Sequence, residues 1–267
     1  MNEQENTSDL VLVTKTGPVA VVCMNDPRRL NVQSTRLLAR LSEVLAALRS
    51  DGTVRAVVLK GAGRSFSAGG DLSEYRADFQ SGPKVADEMV GHFHACIRTI
   101  RDMPQPVIGA LQGAIAGGGF SLAIACDVCI AADDASFLSA YTRLGTTPDG
   151  GGTWTLTQLL GPRIALELIL SNETISAARA LEMGLVNKVV PHDVLDSAAL
   201  EFAQRLAEGP TAAYATAKRL VYAAATSTLD KQLDREKSAF VEASGSADFA
   251  EGVSAFFERR PARFAHR

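Results

Sequence analysis

Over the first 132 residues, short apolar and β-branched runs alternate with longer stretches of helical spacing, and this alternation restricts the fold more than any other feature. Val11-Leu-Val-Thr and Val19-Ala-Val-Val-Cys-Met, split by Lys-Thr-Gly-Pro, predict a hairpin. Ser34 is placed to cap a helix reaching Arg49, with Leu37, Leu38, Leu41, Val44, Leu45 and Leu48 on one face. A buried strand is expected at 54–59, a long helix at 84–103 and a strand at 106–111. A helix opening at Gly117 and running to about Ala125, then a strand at 127–132, complete this half. Alternation of this kind implies an α/β fold with crossover connections.

Beyond residue 153 the pattern turns helical, at 154–169, 176–184, 193–207, 211–226, 229–243 and 248–259, with one short strand at 187–190. No Pro/Gly/Ser linker precedes this tail, so it reads as an elaboration of a single α/β domain. The expected division is a core over 1–200 and a helical region over 201–267.

Composition narrows the function classes. A net charge of −3, from 27 basic and 30 acidic residues well mixed along the chain, argues against a nucleic-acid surface and leaves room for a local basic patch facing a phosphorylated ligand. The N-terminal stretch is polar and acidic, without the basic and apolar regions of a secretory signal, and no apolar run reaches the ~18 residues that span a bilayer. A cytoplasmic protein is expected. Cys126 and Cys129 match C-x-x-C, but residues 125–132 read as a buried strand, and no second Cys pair or His cluster completes a metal site.

Three segments carry chemistry. Residues 137–153 place one carboxylate, Asp149, in a turn too rich in glycine for a helix or strand. Lys60-Gly-Ala-Gly-Arg-Ser-Phe-Ser-Ala-Gly-Gly-Asp71 follows a strand with small residues that let backbone approach a ligand, and Asp71 can cap the next turn. Ala114-Ile-Ala-Gly-Gly-Gly-Phe-Ser-Leu122 puts glycines at the mouth of a helix, where amides lack intrahelical partners and the helix dipole favours negative charge. Either glycine run alone is compatible with an ordinary tight turn. Two amides from separate loops converging on one oxygen would form an oxyanion hole.

Ser65-Phe-Ser-Ala-Gly-Gly-Asp-Leu72, Pro106-Val-Ile-Gly-Ala-Leu-Gln-Gly113, Ala116-Gly-Gly-Gly119 and Leu144-Gly-Thr-Thr-Pro-Asp-Gly-Gly-Gly-Thr153 together resemble the enoyl-CoA hydratase/isomerase (crotonase) family. The likeness runs from Pro27-Arg-Arg-Leu-Asn31 to Glu251-Gly-Val-Ser-Ala-Phe256. It implies a spiral of ββα units, a C-terminal helical trimerisation region giving a homotrimer or a dimer of trimers, and a coenzyme A thioester as substrate, without a separate cofactor. It also implies that the amides of Ala68 and Gly118 form the oxyanion hole. Arg28, Leu30, Phe66, Gly70, Asp71, Leu72, Gly117 and Ser121 would line the thioester and CoA path, with Phe256 meeting the CoA of a neighbouring subunit.

The resemblance also bears on the reaction. Hydratases of the family carry two glutamates where this chain has Ser121 and Tyr141, and adding water needs one group to activate it and another to manage the proton at carbon. Asp149 matches the acid of several family isomerases, for which a single buried carboxylate suffices to move a proton. The tail at 229–236 and 246–257 is similar to the ring-epoxide isomerases of phenylacetyl-CoA breakdown. His94, Tyr141 and Asp149 are also compatible with the constellation of 4-chlorobenzoyl-CoA dehalogenases, where the aspartate is a nucleophile and a histidine the base. An acyl-CoA isomerase with Asp149 as proton shuttle is therefore expected, with a hydratase or an aryl-CoA hydrolase as alternatives. For Ser121, Ser139 and Tyr141 the plainer role is pocket lining; for Arg28, Arg29 and Arg64 it is solvated surface charge, against contact with the nucleotide phosphates.

Overall fold

The computed structural model describes residues 10–76 and 79–264. Its first two apolar runs become β1 (Val11–Thr16) and β2 (Val19–Met24), an antiparallel hairpin turned at Gly17. Next comes α1 (Thr35–Arg49), whose N-cap Ser34 accepts a hydrogen bond from the Leu37 amide and whose six leucines and valines are buried as expected. β3 (Ala56–Gly61), the short α2 (Ser73–Arg76) and α3 (Gly82–Asp102) follow.

Then the chain repeats a strand–strand–helix unit twice. β4 (Val107–Leu111), β5 (Ala114–Ala116) and α4 (Gly118–Ala125) form one; β6 (Val128–Ala132), β7 (Ser136–Leu138) and α5 (Gly152–Ser171) form the other. In each unit the first strand joins a large sheet and the second a small one. Among the described residues the large sheet has the order β1-β2-β3-β4-β6-β9, where β9 is Lys188–Val190. Its pairs from β2 onward are parallel. The small sheet is β5-β7-β8, with β8 at Ile175–Ser176 leading into α6 (Ala177–Glu182). Strands of two or three residues leave no period to detect, so the sequence does not predict this small sheet.

Burial on both faces explains why the parallel strands read as continuous apolar runs. Val57 and Leu59 of β3 join the core under α1 and α3, while Ala56 and Val58 face the other way. On that second face lies α7 (Leu195–Glu208), which presents Ala199, Ala203 and Ala207, one turn apart and small enough for close approach to the sheet. Since α7 packs on the sheet along its whole length, the division expected at residue 200 falls inside it; the outer helices begin with α8 (Thr211–Ala224), then α9 (Leu229–Ser244) and α10 (Ala247–Glu258). Of these three only Ala255 is buried. Val221, Leu233, Phe240, Val241, Phe256 and Phe257 are exposed.

Two further expectations are corrected. The helix expected at 154–169 is broken at Gly161 (φ 75°, ψ 165°) and Pro162, a Gly-Pro pair that removes a donor and leaves helical geometry. Cys126 caps the C-terminus of α4 rather than lying in a strand; only Cys129 is in β6. Both thiols are buried and free, and burial pushes Cys129 up to about 12, which leaves a poor nucleophile and metal ligand. Among the described residues, no helix is long and apolar enough to cross a membrane and no group of three or more His, Cys, Asp or Glu is placed to hold a metal ion.

Candidate active site

The two glycine-rich segments come into direct contact. A methyl group added at Gly119 would lie 2.3 Å from the Ser67 carbonyl oxygen, and one added at Gly69 only 3.2 Å from the Gly118 amide nitrogen. Bridges Ser67–Ile115 and Gln33–Gly70 knit the 67–70 loop to β5 and to the segment before α1. Gly117 and Gly118 thus open α4 against residues 68–70. Amides in the first turn of a helix have no carbonyl four residues back within that helix, so the Gly118 N–H is an orphan donor by position.

Ala68 differs from expectation. Its amide is not a free donor: it hydrogen-bonds the Leu30 carbonyl at 3.0 Å. Leu30 and Asn31 both adopt left-handed backbone (φ 57° and 52°) after the 3-10 turn Pro27–Arg29, and the Asn31 side chain ties that turn to the Ala62 and Ser65 carbonyls. The turn and the loop form one hydrogen-bonded unit, and the Ala68 amide is part of it.

Asp149 sits opposite. A 3-10 turn at Tyr141–Leu144, entered through left-handed Ala140 (φ 63°), presents Tyr141, whose hydroxyl donates to Asp149 Oδ1 at 2.5 Å. Ser121 Oγ, from α4, lies 3.1 Å from the same hydroxyl. Gly150 (φ 58°) and Gly151 (φ 73°) carry the chain from Asp149 into α5; a methyl group on Gly150 would meet the Phe93 ring at 2.2 Å, so only glycine fits there. Burial pushes the Asp149 carboxyl above its ordinary value, against the opposing pull of the Tyr141 hydrogen bond. The Tyr141 phenol is pushed up as well, by burial first and then by the carboxylate beside it. An aspartate with raised pKa, hydrogen-bonded through one oxygen, is equipped to take and return a proton.

His94 belongs to this cluster, but in a supporting position. Its Nε2 accepts the Gly150 amide at 3.2 Å. Such a bond requires Nε2 without a proton, and it occupies the lone pair a base would use. The imidazole therefore buttresses the turn that carries Asp149.

Other expected site residues separate. Gly70 and Gly117 lie at the loop contact already described. Phe66 is 0% exposed and packs in the core; the loop turns its side chain inward, so it supports the site from behind rather than lining it. Asp71 caps the following turn, accepting from the Ser73 amide and hydroxyl, while its other oxygen accepts from Arg29 at 2.7 Å. Its carboxylate is thereby engaged within the protein. Arg29 is a surface charge as expected, 48% exposed, but it is held in ion pairs with Asp26 and Asp71 rather than left free for a phosphate. Arg28 and Arg64 are exposed, and Leu72 is 52% exposed beside the loop. Phe256 is 77% exposed on α10, stacked edge-on against Phe257, in the groove of the C-terminal helices. Ser139 is buried, its carbonyl accepting the Tyr141 amide.

Three residues of this region gave no sequence signal. Phe93 fills the space beneath Gly150, and its place in α3 looked like any apolar helix position. Tyr75 reaches the site from α2; burial raises its phenol, followed by the influence of Asp149, and its hydroxyl contacts Met89 Sδ at 3.7 Å. Gln33 is buried against Gly118.

Comparison with known proteins agrees with this arrangement. Residues 14–267 match the model of the family described as Enoyl-CoA hydratase/isomerase. The chain is 38% identical over 247 residues to 1,2-epoxyphenylacetyl-CoA isomerase of Escherichia coli (strain K12), covering 92% of this chain and 94% of that protein. It is equally 38% identical over 250 residues to a probable enoyl-CoA hydratase of Rhodobacter capsulatus, covering 93% and 95%. A crystal structure of an enoyl-CoA hydratase from Polaromonas sp. JS666 superposes with a TM-score of 0.91 at 36% identity, covering 95% of this chain and 98% of that one. Contacting glycine loops, a half-buried acid bonded to Tyr141 and likeness along nearly the whole chain lead to one conclusion: this protein belongs to the enoyl-CoA hydratase/isomerase family.

Proposed function

We propose that the chain is an acyl-CoA isomerase that shifts a double bond, or opens an epoxide ring, in an enoyl- or aryl-CoA thioester, with Asp149 as the proton shuttle. The observation that carries this reading is the environment of Asp149: one carboxylate, raised by burial and held through Oδ1 by Tyr141, with a serine and a tyrosine where a hydratase would need further acids. The 38% identity to an isomerase supports it, while the equal identity to a probable hydratase makes the assay below the deciding test.

For a double-bond shift, Asp149 removes a proton from the carbon next to the double bond. The C–H electron pair becomes a new C=C, and negative charge moves onto the thioester oxygen. The Gly118 amide, backed by the N-terminus of α4, donates to that oxygen; such a fixed donor is worth roughly 3 kcal/mol at the barrier. Ala68 joins as the second donor by turning its N–H, now on the Leu30 carbonyl, toward the thioester oxygen. The protonated Asp149 returns the proton at another carbon. One proton moves, no electrons are exchanged with an outside partner, and the reaction calls for no cofactor beyond the CoA of the substrate.

The CoA would follow the 28–30 turn, with Arg28 as the exposed cation near its phosphates and Leu72 along the mouth. The apolar side chains displayed by α8–α10 suit an oligomer, and Phe256 would meet the CoA of the adjoining subunit there. An aryl-CoA hydrolase reading asks His94 to act as base, which its bond to Gly150 disfavours.

Rates with a 3-enoyl-CoA, crotonyl-CoA and 4-halobenzoyl-CoA, measured side by side, test the proposal. Isomerisation of the 3-enoyl-CoA or of an epoxide-bearing acyl-CoA is expected to dominate. Hydration of crotonyl-CoA at a comparable or greater rate would overturn it.

A further inference from the structure

Gln33 is 1% exposed, yet its Nε2 has no hydrogen-bond partner among the described residues. Leaving such an amide buried and unpaired is costly, and a leucine or methionine would fill the same volume without that cost. Its backbone is fully employed: the amide donates to Gly69 O at 2.7 Å and the carbonyl accepts from Asp71 N at 3.2 Å, which fastens Gln33 to the loop bearing Ala68. From there the side chain reaches α4. A methyl group on Gly118 would lie 2.1 Å from Gln33 Oε1 and 3.7 Å from the Phe93 ring, the same ring that abuts Gly150 next to Asp149. The carboxamide therefore lies beside the proposed oxyanion donor, close to the ring that abuts the turn carrying the acid. A half-turn about its last torsion exchanges the NH2 and oxygen ends, so it can either donate or accept beside Gly118.

We propose that Gln33 is a specificity-determining residue whose carboxamide hydrogen-bonds an oxygen carried by the acyl group (an epoxide, carbonyl or hydroxyl oxygen within a few bonds of the thioester), so that the enzyme prefers oxygen-bearing acyl-CoAs over plain hydrocarbon ones. This deepens the acyl-CoA reading above and rests on it. Other polar groups around the site are already committed: Tyr141 to Asp149, and Tyr75 to Met89. Among the described residues, Gln33 alone brings to Gly118 a buried carboxamide with one unpaired end: Oε1 faces Gly118 and Nε2 has no partner.

Equilibrium binding tests it. Affinities of butyryl-CoA, 3-hydroxybutyryl-CoA and 4-hydroxybutyryl-CoA are measured calorimetrically on the wild-type protein and on Gln33→Met. The wild type is expected to bind at least one hydroxylated ligand roughly tenfold more tightly than butyryl-CoA, the worth of one neutral hydrogen bond. In Gln33→Met that preference falls to within about twofold while butyryl-CoA affinity is kept. Gln33→Leu, measured in the same way, supplies the variant arm should Gln33→Met fail to fold. Equal binding of all three ligands by the wild type, or a preference that survives in Gln33→Met, overturns the role of Gln33 and leaves the acyl-CoA reading standing. Failure of the wild type to bind any of the three overturns both.

Discussion

Among the described residues, two aspartates accept a tyrosine hydroxyl, and only one of these pairs is fit for chemistry. Asp127, at the junction of α4 and β6, accepts from the Tyr222 hydroxyl at 2.6 Å, the Val107 amide at 2.8 Å and the Lys218 ammonium at 2.7 Å. Lys218 also donates to the Ile100 and Gln105 carbonyls, so the cluster bolts α8 to the sheet. Asp149 accepts the Tyr141 hydroxyl in the same way, but among the described residues no cation is bonded to it, and burial raises its proton affinity. The cation makes the difference. A carboxylate neutralised by a lysine and held by three donors is a fastener, whereas one left with a single phenol and a free oxygen is a base in waiting.

Substitutions that damage one pair and spare the other sharpen this contrast. The largest stability effect is expected at the fastener: Asp127→Asn leaves the buried Lys218 ammonium without its counter-charge and should cost about 3–5 kcal/mol. Turnover per folded molecule should stay unchanged. Denaturant unfolding beside steady-state kinetics checks both halves. At the other pair, Gly150→Ala forces a side chain into left-handed backbone and against Phe93, displacing Asp149; turnover should fall about 100-fold, as for a displacement of ~1 Å.

The tyrosines separate the pairs more finely. Tyr222→Phe should cost about 1 kcal/mol of stability with no change in rate. Tyr141→Phe removes a bond that holds the Asp149 pKa down, so the acid limb of the pH–rate profile should move to higher pH. In the wild type that limb is already shifted above the ordinary aspartate value, because activity needs the ionised form and is lost as pH drops through the raised pKa. An acid limb unmoved in Tyr141→Phe would break the link between phenol and base.

The smallest effect has the opposite sign to most mutations. A carboxyl whose pKa is raised by folding contributes stability below its unfolded pKa and loses that contribution as pH rises through the folded one. Near neutrality the ionised Asp149 is therefore a burden on the fold, and Asp149→Asn should melt at or slightly above the wild-type temperature.

Much of this was legible before the structure. Period-3.6 leucines and a capping serine gave α1 to the residue, and continuous β-branched runs gave the parallel strands, because those signals are local. Asp149, Tyr141 and the triple glycine were found by motif and resemblance. What escaped was set by three-dimensional contact. The small sheet has strands too short to show a period, Gln33 is buried by a loop that approaches from residue 69, and the Ala68 amide is taken by a carbonyl 38 positions earlier. Phe66 was misread for a related reason: its motif marks the loop, while the direction of its side chain depends on how that loop bends.

The direct test of the account is single-turnover isomerisation of a 3-enoyl-CoA by Asp149→Asn, with thioester binding measured on the same sample. The expected result is intact binding with the chemical step slowed by about 10²–10⁴-fold, the usual worth of a positioned acid–base group. A chemical step within a few-fold of the wild-type rate would show that the proton travels by another route, and the account would be wrong.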